Sequence, residues 1–108
     1  MPHYQTIDEL LSAYPKRFNP EKAQGMNSVV QMNLTGEGGG RYYAEVRDQA
    51  LNIEEGTHEA PDATLVTSAE NWLKINNGKA NPMQLMMQGD LNVDGSIPAA
   101  TKFQGLFE

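Results

Sequence analysis

The chain has 108 residues, 39% hydrophobic and 20% charged, with a net charge of −6 and no cysteine. That length suits one globular domain over residues 1–108, and the composition is that of a folding chain rather than a disordered one. The missing cysteines exclude disulfides, thiol catalysis and cysteine-ligated zinc.

The basic residues Lys16, Arg17, Lys22, Arg41, Arg47, Lys74, Lys79 and Lys102 are scattered. No basic stripe interleaves with aromatics, so a nucleic-acid partner is not expected. The acidic balance disfavours anionic lipid headgroups, which limits membrane contact to brief apolar encounters. No apolar run nears the ~20 residues of a membrane span. The start, MPHYQTIDELL, lacks the pattern of a secretory signal, so a cytoplasmic location is expected.

Thr6 and Glu9 are spaced for a capping box. Ile7, Leu10, Leu11 and Tyr14 follow as a helical stripe, and Pro15 is expected to end it. Asn19-Pro20 predicts a short second helix stopped by Gly25. Residues 26–35 alternate as a half-buried strand, with Met26, Ser28, Val30, Met32 and Leu34 on one face. The glycine run 36–40 leads into another alternating segment, Arg41 to Arg47. A phosphate-cradling loop would lead into a helix, so these glycines read as a hairpin. Asp48-Gln49 is a tight turn into a third strand with Leu51 and Ile53, and Glu54 to Asp62 is a polar loop.

Ala63 to Val66 reads as a strand. Thr67 is expected to cap the next helix with Glu70 as reciprocal partner, and Gly78 to end it. Asn81-Pro82 opens a further helix, Gly89 closes it, and Asp90 to Asp94 is a strand with Leu91 and Val93 on one face. Ser96 to Phe107 forms the last helix, with Ile97, Ala100, Phe103 and Phe107 along one side and Leu106 beside them. The pattern predicts an α+β fold: five strands with one polar face, and helices packed on the other.

In order along the chain stand Arg17-Phe18-Asn19-Pro20-Glu21-Lys22-Ala23, Leu34-Thr35-Gly36, Ala63-Thr64-Leu65, Trp72-Leu73, Gly78-Lys79-Ala80-Asn81-Pro82, Gly89-Asp90-Leu91-Asn92-Val93-Asp94-Gly95 and the Lys102-Phe103 … Leu106-Phe107 helix. This ordered set resembles the sterol carrier protein type 2 domain family. The resemblance runs from about Ile7 to Phe107. It implies a five-stranded, mainly antiparallel sheet, helices over one face, and an apolar tunnel between them that takes fatty acids, fatty acyl-CoA or similar lipids. The short, unfused form resembles bacterial members, for which a sterol is the least transferable cargo.

The candidate lining residues are Met83, Leu85, Met86, Met87, Phe103, Leu106 and Phe107, with Val30 and Met32 from the sheet and Trp72. The methionines either fill core or line a pocket, where flexible thioethers suit varied chains. Trp72 is a core anchor or a pocket wall, its N–H expected to find a partner. Phe103, Leu106 and Phe107 either dock the last helix or form a lid. His3 and His58 are expected to be exposed, and Asp90 and Asp94 to lie on a solvated face. No residue set reads as a nucleophile beside a base, a metal site or a cofactor motif. The expected function is therefore non-covalent binding and transfer of an apolar ligand, without cofactor, metal or catalysis. The alternatives are an accessory protein for isoprenoid-quinone biosynthesis or a structural dimerisation module, and a homodimer is compatible with any of the three.

Overall fold

The computed structural model describes residues 3–107. Thr6 caps the first helix, α1 (Ile7–Arg17), by accepting the Glu9 N–H at 3.1 Å. The Glu9 carboxylate reaches back to the Gln5 N–H at 3.0 Å, one residue earlier than a strict capping box. Ile7, Leu10 and Tyr14 are buried.

Pro15 does not end this helix, contrary to expectation. A proline removes one backbone donor and crowds the preceding turn, and here only two residues of the helix follow it. Keeping Tyr14 helical buries its ring, and the Phe18 N–H closes the turn on the Tyr14 carbonyl at 2.9 Å. Lys16 and Arg17 suit the helix C-terminus.

The expected second helix is also absent. Asn19 Oδ1 accepts the Glu21 N–H, and i→i+3 bonds then run from Lys22 to Asn19, Ala23 to Pro20 and Gln24 to Glu21. The stretch before Gly25 is too short to repay α-helix nucleation, and only Ala23 in it is buried, so it stays a string of turns.

The five strands are β1 (Ser28–Thr35), β2 (Gly40–Arg47), β3 (Ala50–Glu55), β4 (Ala63–Ser68) and β5 (Leu91–Gly95), in the spatial order β3-β2-β1-β4-β5. All neighbours are antiparallel except β1 and β4. The β2–β3 hairpin turns on Asp48 and Gln49, both with positive φ, the geometry that matches strand twist.

Residues in register share a face. Val30, Ala44 and Ala63 form one row, Met32, Tyr42, Leu65 and Val93 a second, and Leu34, Thr67 and Leu91 a third. This is the inner face. The opposite face carries Gln31, Tyr43, Glu54, Thr64 and Asp94.

The segment 56–62 crosses that outer face to carry the chain from β3 to β4. Buried Gln31 fastens it, donating to the Gly56 carbonyl at 3.0 Å and accepting the His58 N–H at 2.9 Å. Asp62 then bonds Val29 through both backbone and carboxylate. His58 is consequently half-buried against Tyr43, not exposed as expected, whereas His3, Asp90 and Asp94 are exposed.

Ser68, not Thr67, caps α2 (Ala69–Asn76), accepting the Asn71 N–H. Thr67 stays in β4, paired with Leu34 and Leu91, and its hydroxyl donates to the Asp90 carbonyl at 2.7 Å. A β-branched residue fits that ladder position better than a cap. Helices α2 and α4 (Ile97–Gly105) cover the inner face over β1 and β4, α1 packs on α2, and α3 (Pro82–Gln88) lies against β5.

Candidate functional site

The candidate site lies between β4, β5, α3 and α4. Asn81 caps α3, its Oδ1 accepting the Met83 and Gln84 N–H groups, and Pro82 sits in the first turn. Gly89 ends α3 in the left-handed region, its N–H returned to Leu85 and Met86. Both expectations for this helix hold. At seven residues, α3 has no buried residue and no charge. It forms one wall of a cavity.

That cavity has a volume of about 490 Å³. Leu65, Leu91 and Val93 form its floor from the sheet, Met83 and Met86 come from α3, and Ile97, Ala100 and Gln104 from α4. No charged residue lines it. Met83, at 67% exposure, and Ile97, at 53%, stand at its edge. Ile97 was expected in the buried stripe. The first turn of α4 follows β5 directly after Ser96, so Ile97 meets the gap beside α3 rather than the sheet.

A second crevice of about 280 Å³ adjoins the first, and Pro82 and Gln104 line both. Tyr14 and Arg17 of α1, Trp72, Ile75 and Asn76 of α2, and Phe103 and Phe107 complete it. Tyr14, Phe103 and Phe107 pack ring to ring, with centroids 4.4–6.2 Å apart, and Phe18 meets Phe107. The Leu106 carbonyl accepts the Asn19 N–H at 2.8 Å. The last helix is docked here by aromatic packing and a backbone bond.

The Tyr14 hydroxyl donates to Asn76 Oδ1 at 3.2 Å, and burial pushes its pKa well above the ordinary phenol value. Trp72 is 1% exposed, and its indole N–H has no hydrogen-bond partner, contrary to expectation. The N–H is near enough to the Tyr14 hydroxyl to lower that phenol's pKa, but it misses hydrogen-bond geometry. Burying an unpaired N–H is costly, so Trp72 is held by packing.

The structure thus brings together Met83 and Met86 in the cavity, and Trp72, Phe103 and Phe107 in the crevice. Val30, Met32 and Leu106 lie in the packed core and line neither. Leu85 is half-buried and Met87 is 84% exposed, and neither lines the cavity. Sequence reasoning missed Leu65, Leu91, Val93, Ala100, Gln104 and Arg17. Strand alternation put Leu91 and Val93 on the core face, but alternation carries no signal for where that face is left uncovered. Among the described residues, no cluster of acidic or histidine side chains is arranged to hold a metal ion.

A family model, the SCP-2 sterol transfer family, matches residues 7–108. The chain belongs to this family. A curated relative of the SCP-2 chain, hydroxysteroid dehydrogenase-like protein 2 of Rattus norvegicus, is 24% identical over 106 residues, covering 97% of this chain and 20% of the relative. The chain therefore spans about a fifth of that relative's length. Among solved structures, the sec-alkylsulfatase Pisa1 from Pseudomonas sp. matches with a TM-score of 0.85 at 19% identity, covering 95% of this chain and 16% of that one. Palmitated SCP2L2 from Aedes aegypti matches with a TM-score of 0.73 at 22% identity, covering 99% and 96% of the two chains. At these identities the structural matches show the shared fold.

Proposed function

We propose that this chain binds a lipid non-covalently in the cavity between β4, β5, α3 and α4, and transfers it between donors and acceptors. One observation carries the reading: a cavity of about 490 Å³ without a charged side chain, floored by Leu65, Leu91 and Val93 and walled by methionines. That volume is in the ~300–1,000 Å³ range of small-ligand sites. Membership of the SCP-2 family and the palmitated Aedes neighbour support the same reading.

The cargo is a fatty acid, a fatty acyl-CoA or a similar lipid, and nothing covalent happens to it. Burying ~10 methylenes at ~0.8 kcal/mol each gives roughly 8 kcal/mol, which corresponds to about micromolar affinity. A carrier needs that range because it must also release. Residues 1–108 act as one cytoplasmic domain, whose membrane contacts are brief. Among the described residues, no helix is long and apolar enough to cross a membrane.

The test is titration of delipidated protein with a fluorescent fatty acid, beside mass spectrometry of co-purified lipid. Saturable one-site binding near micromolar is expected. Met86→Asp, which puts a carboxylate in the cavity wall, is expected to weaken binding at least about tenfold. No saturable binding and no co-purified lipid would overturn the reading.

A further inference from the structure

The described methionines differ in their access to water. Met26 and Met32 are buried, at 6% and 0% exposure. Met86 is half-buried and lines the cavity. Met87 is 84% exposed and lines neither cavity nor crevice. Met83, one turn before it on α3, is 67% exposed and does line the cavity. Among the described residues, Met83 is therefore the methionine that is both open to water and part of the apolar wall.

That combination has a chemical consequence. A thioether is apolar and its sulfoxide is polar, so oxidation changes what the side chain can touch. A water-borne oxidant must reach the sulfur, which favours Met83 and Met87 over the buried methionines. At Met87 the change passes between two solvated forms. At Met83 it falls in a wall shared with Leu65, Leu91, Val93 and Ile97. If the new S=O group stays there, it meets the lipid tail without water, which is costly. If it turns to water, the side chain leaves the wall. Either outcome removes apolar contact from a cargo.

We propose that Met83 is a modification site, whose oxidation by a peroxide to methionine sulfoxide weakens the hold on the cargo. The proposal rests on the lipid-binding reading above and adds its regulation. A sulfur lone pair attacks one peroxide oxygen, forming the S–O bond as the O–O bond breaks. Sulfur loses two electrons and the peroxide gains them, and its other oxygen leaves as water after taking up the proton. The effect runs both ways. A bound chain covers Met83 and shields it from the oxidant, whereas Met87 stays open with or without cargo.

The experiment treats the delipidated full chain with hydrogen peroxide, with and without palmitic acid. Peptide mass spectrometry follows each methionine, and a fluorescent fatty acid reads affinity before and after. Met83 and Met87 are expected to oxidise ahead of Met86, and well ahead of Met26 and Met32. Palmitic acid should slow the reaction several-fold at Met83 and leave Met87 unchanged. Affinity should fall at least about fivefold as Met83 sulfoxide accumulates. Met87→Leu should lose affinity on treatment as wild type does. Met83→Leu, compared with its own untreated form, should lose little. Met83→Gln, polar from the start, should bind weakly before treatment and change little after it. A loss that persists in Met83→Leu overturns the site, and so does full oxidation of Met83 at unchanged affinity. Both results leave lipid binding standing. Failure of untreated wild type to bind overturns both readings.

Discussion

Tyr14 joins the fold to the site. Its ring packs on Phe103 and Phe107, and its hydroxyl is bonded to Asn76. Burial holds its pKa far above the usual value near 10. Below that value the phenol is protonated in both the folded and the unfolded chain, and contributes no pH dependence. Above it the unfolded chain loses the proton and the folded chain keeps it, so stability falls as pH rises. Tyr14→Phe is expected to cost about 1 kcal/mol at neutral pH, from the lost hydrogen bond. It should also flatten the decline of stability between about pH 9 and 11, measured by urea unfolding across that range. Some slope should remain. Burial raises Tyr42, and the hydrogen bond to Glu54 raises Tyr43. An unchanged slope in the variant would contradict the burial argument.

At the scale of elements, local signals were legible where they were strong and short-range. Thr6, Ser96 and Asn81 cap as their chemistry dictates, and Gly89 stops α3. Alternation located the strands and their faces. Two positions misled because tertiary context outweighed local preference, and a third because its run was too short. Burial of Tyr14 carried α1 through Pro15, a strand ladder held Thr67, and the short run after Asn19 could not nucleate. Gly95 shows the same dependence on context. Its φ is +85°, and a Cβ there would lie 2.5 Å from the Asp62 carbonyl oxygen, which itself accepts the Ser96 N–H. At Gly78 φ is +75°, but a Cβ would meet open space. Both glycines replaced by alanine incur the left-handed penalty of about 1–2 kcal/mol. Gly95→Ala should lose at least about 1 kcal/mol more than Gly78→Ala, read as a lower urea midpoint at unchanged slope. Equal losses would show that the close approach to Asp62 is relieved without cost.

The whole molecule divides its apolar residues between two tasks. The core joins Leu10, Val30, Met32, Leu65, Trp72 and Leu106 under α1, α2 and α4. The gap beside α3 shares Leu65 and Ala100 with this core and adds Met83, Met86 and Ile97 outside it. Which apolar residues border such a gap depends on how far α3 stands from β5, and residue type does not encode that distance. Hence the methionine cluster was visible in the sequence while its division was not. Met83 and Met86 face the cavity, Met87 faces solvent, and Leu85 lines neither space.

That division makes the lipid-binding account testable residue by residue. With methyl-labelled methionine, delipidated protein is titrated with a fatty acid and followed by NMR. The account predicts saturable shifts of the Met83 and Met86 methyl signals, while Met26, buried near the β2–β3 turn, and Met87, exposed on α3, stay in place. A titration that leaves Met83 and Met86 unmoved, or that moves Met26 and Met87 instead, would contradict it.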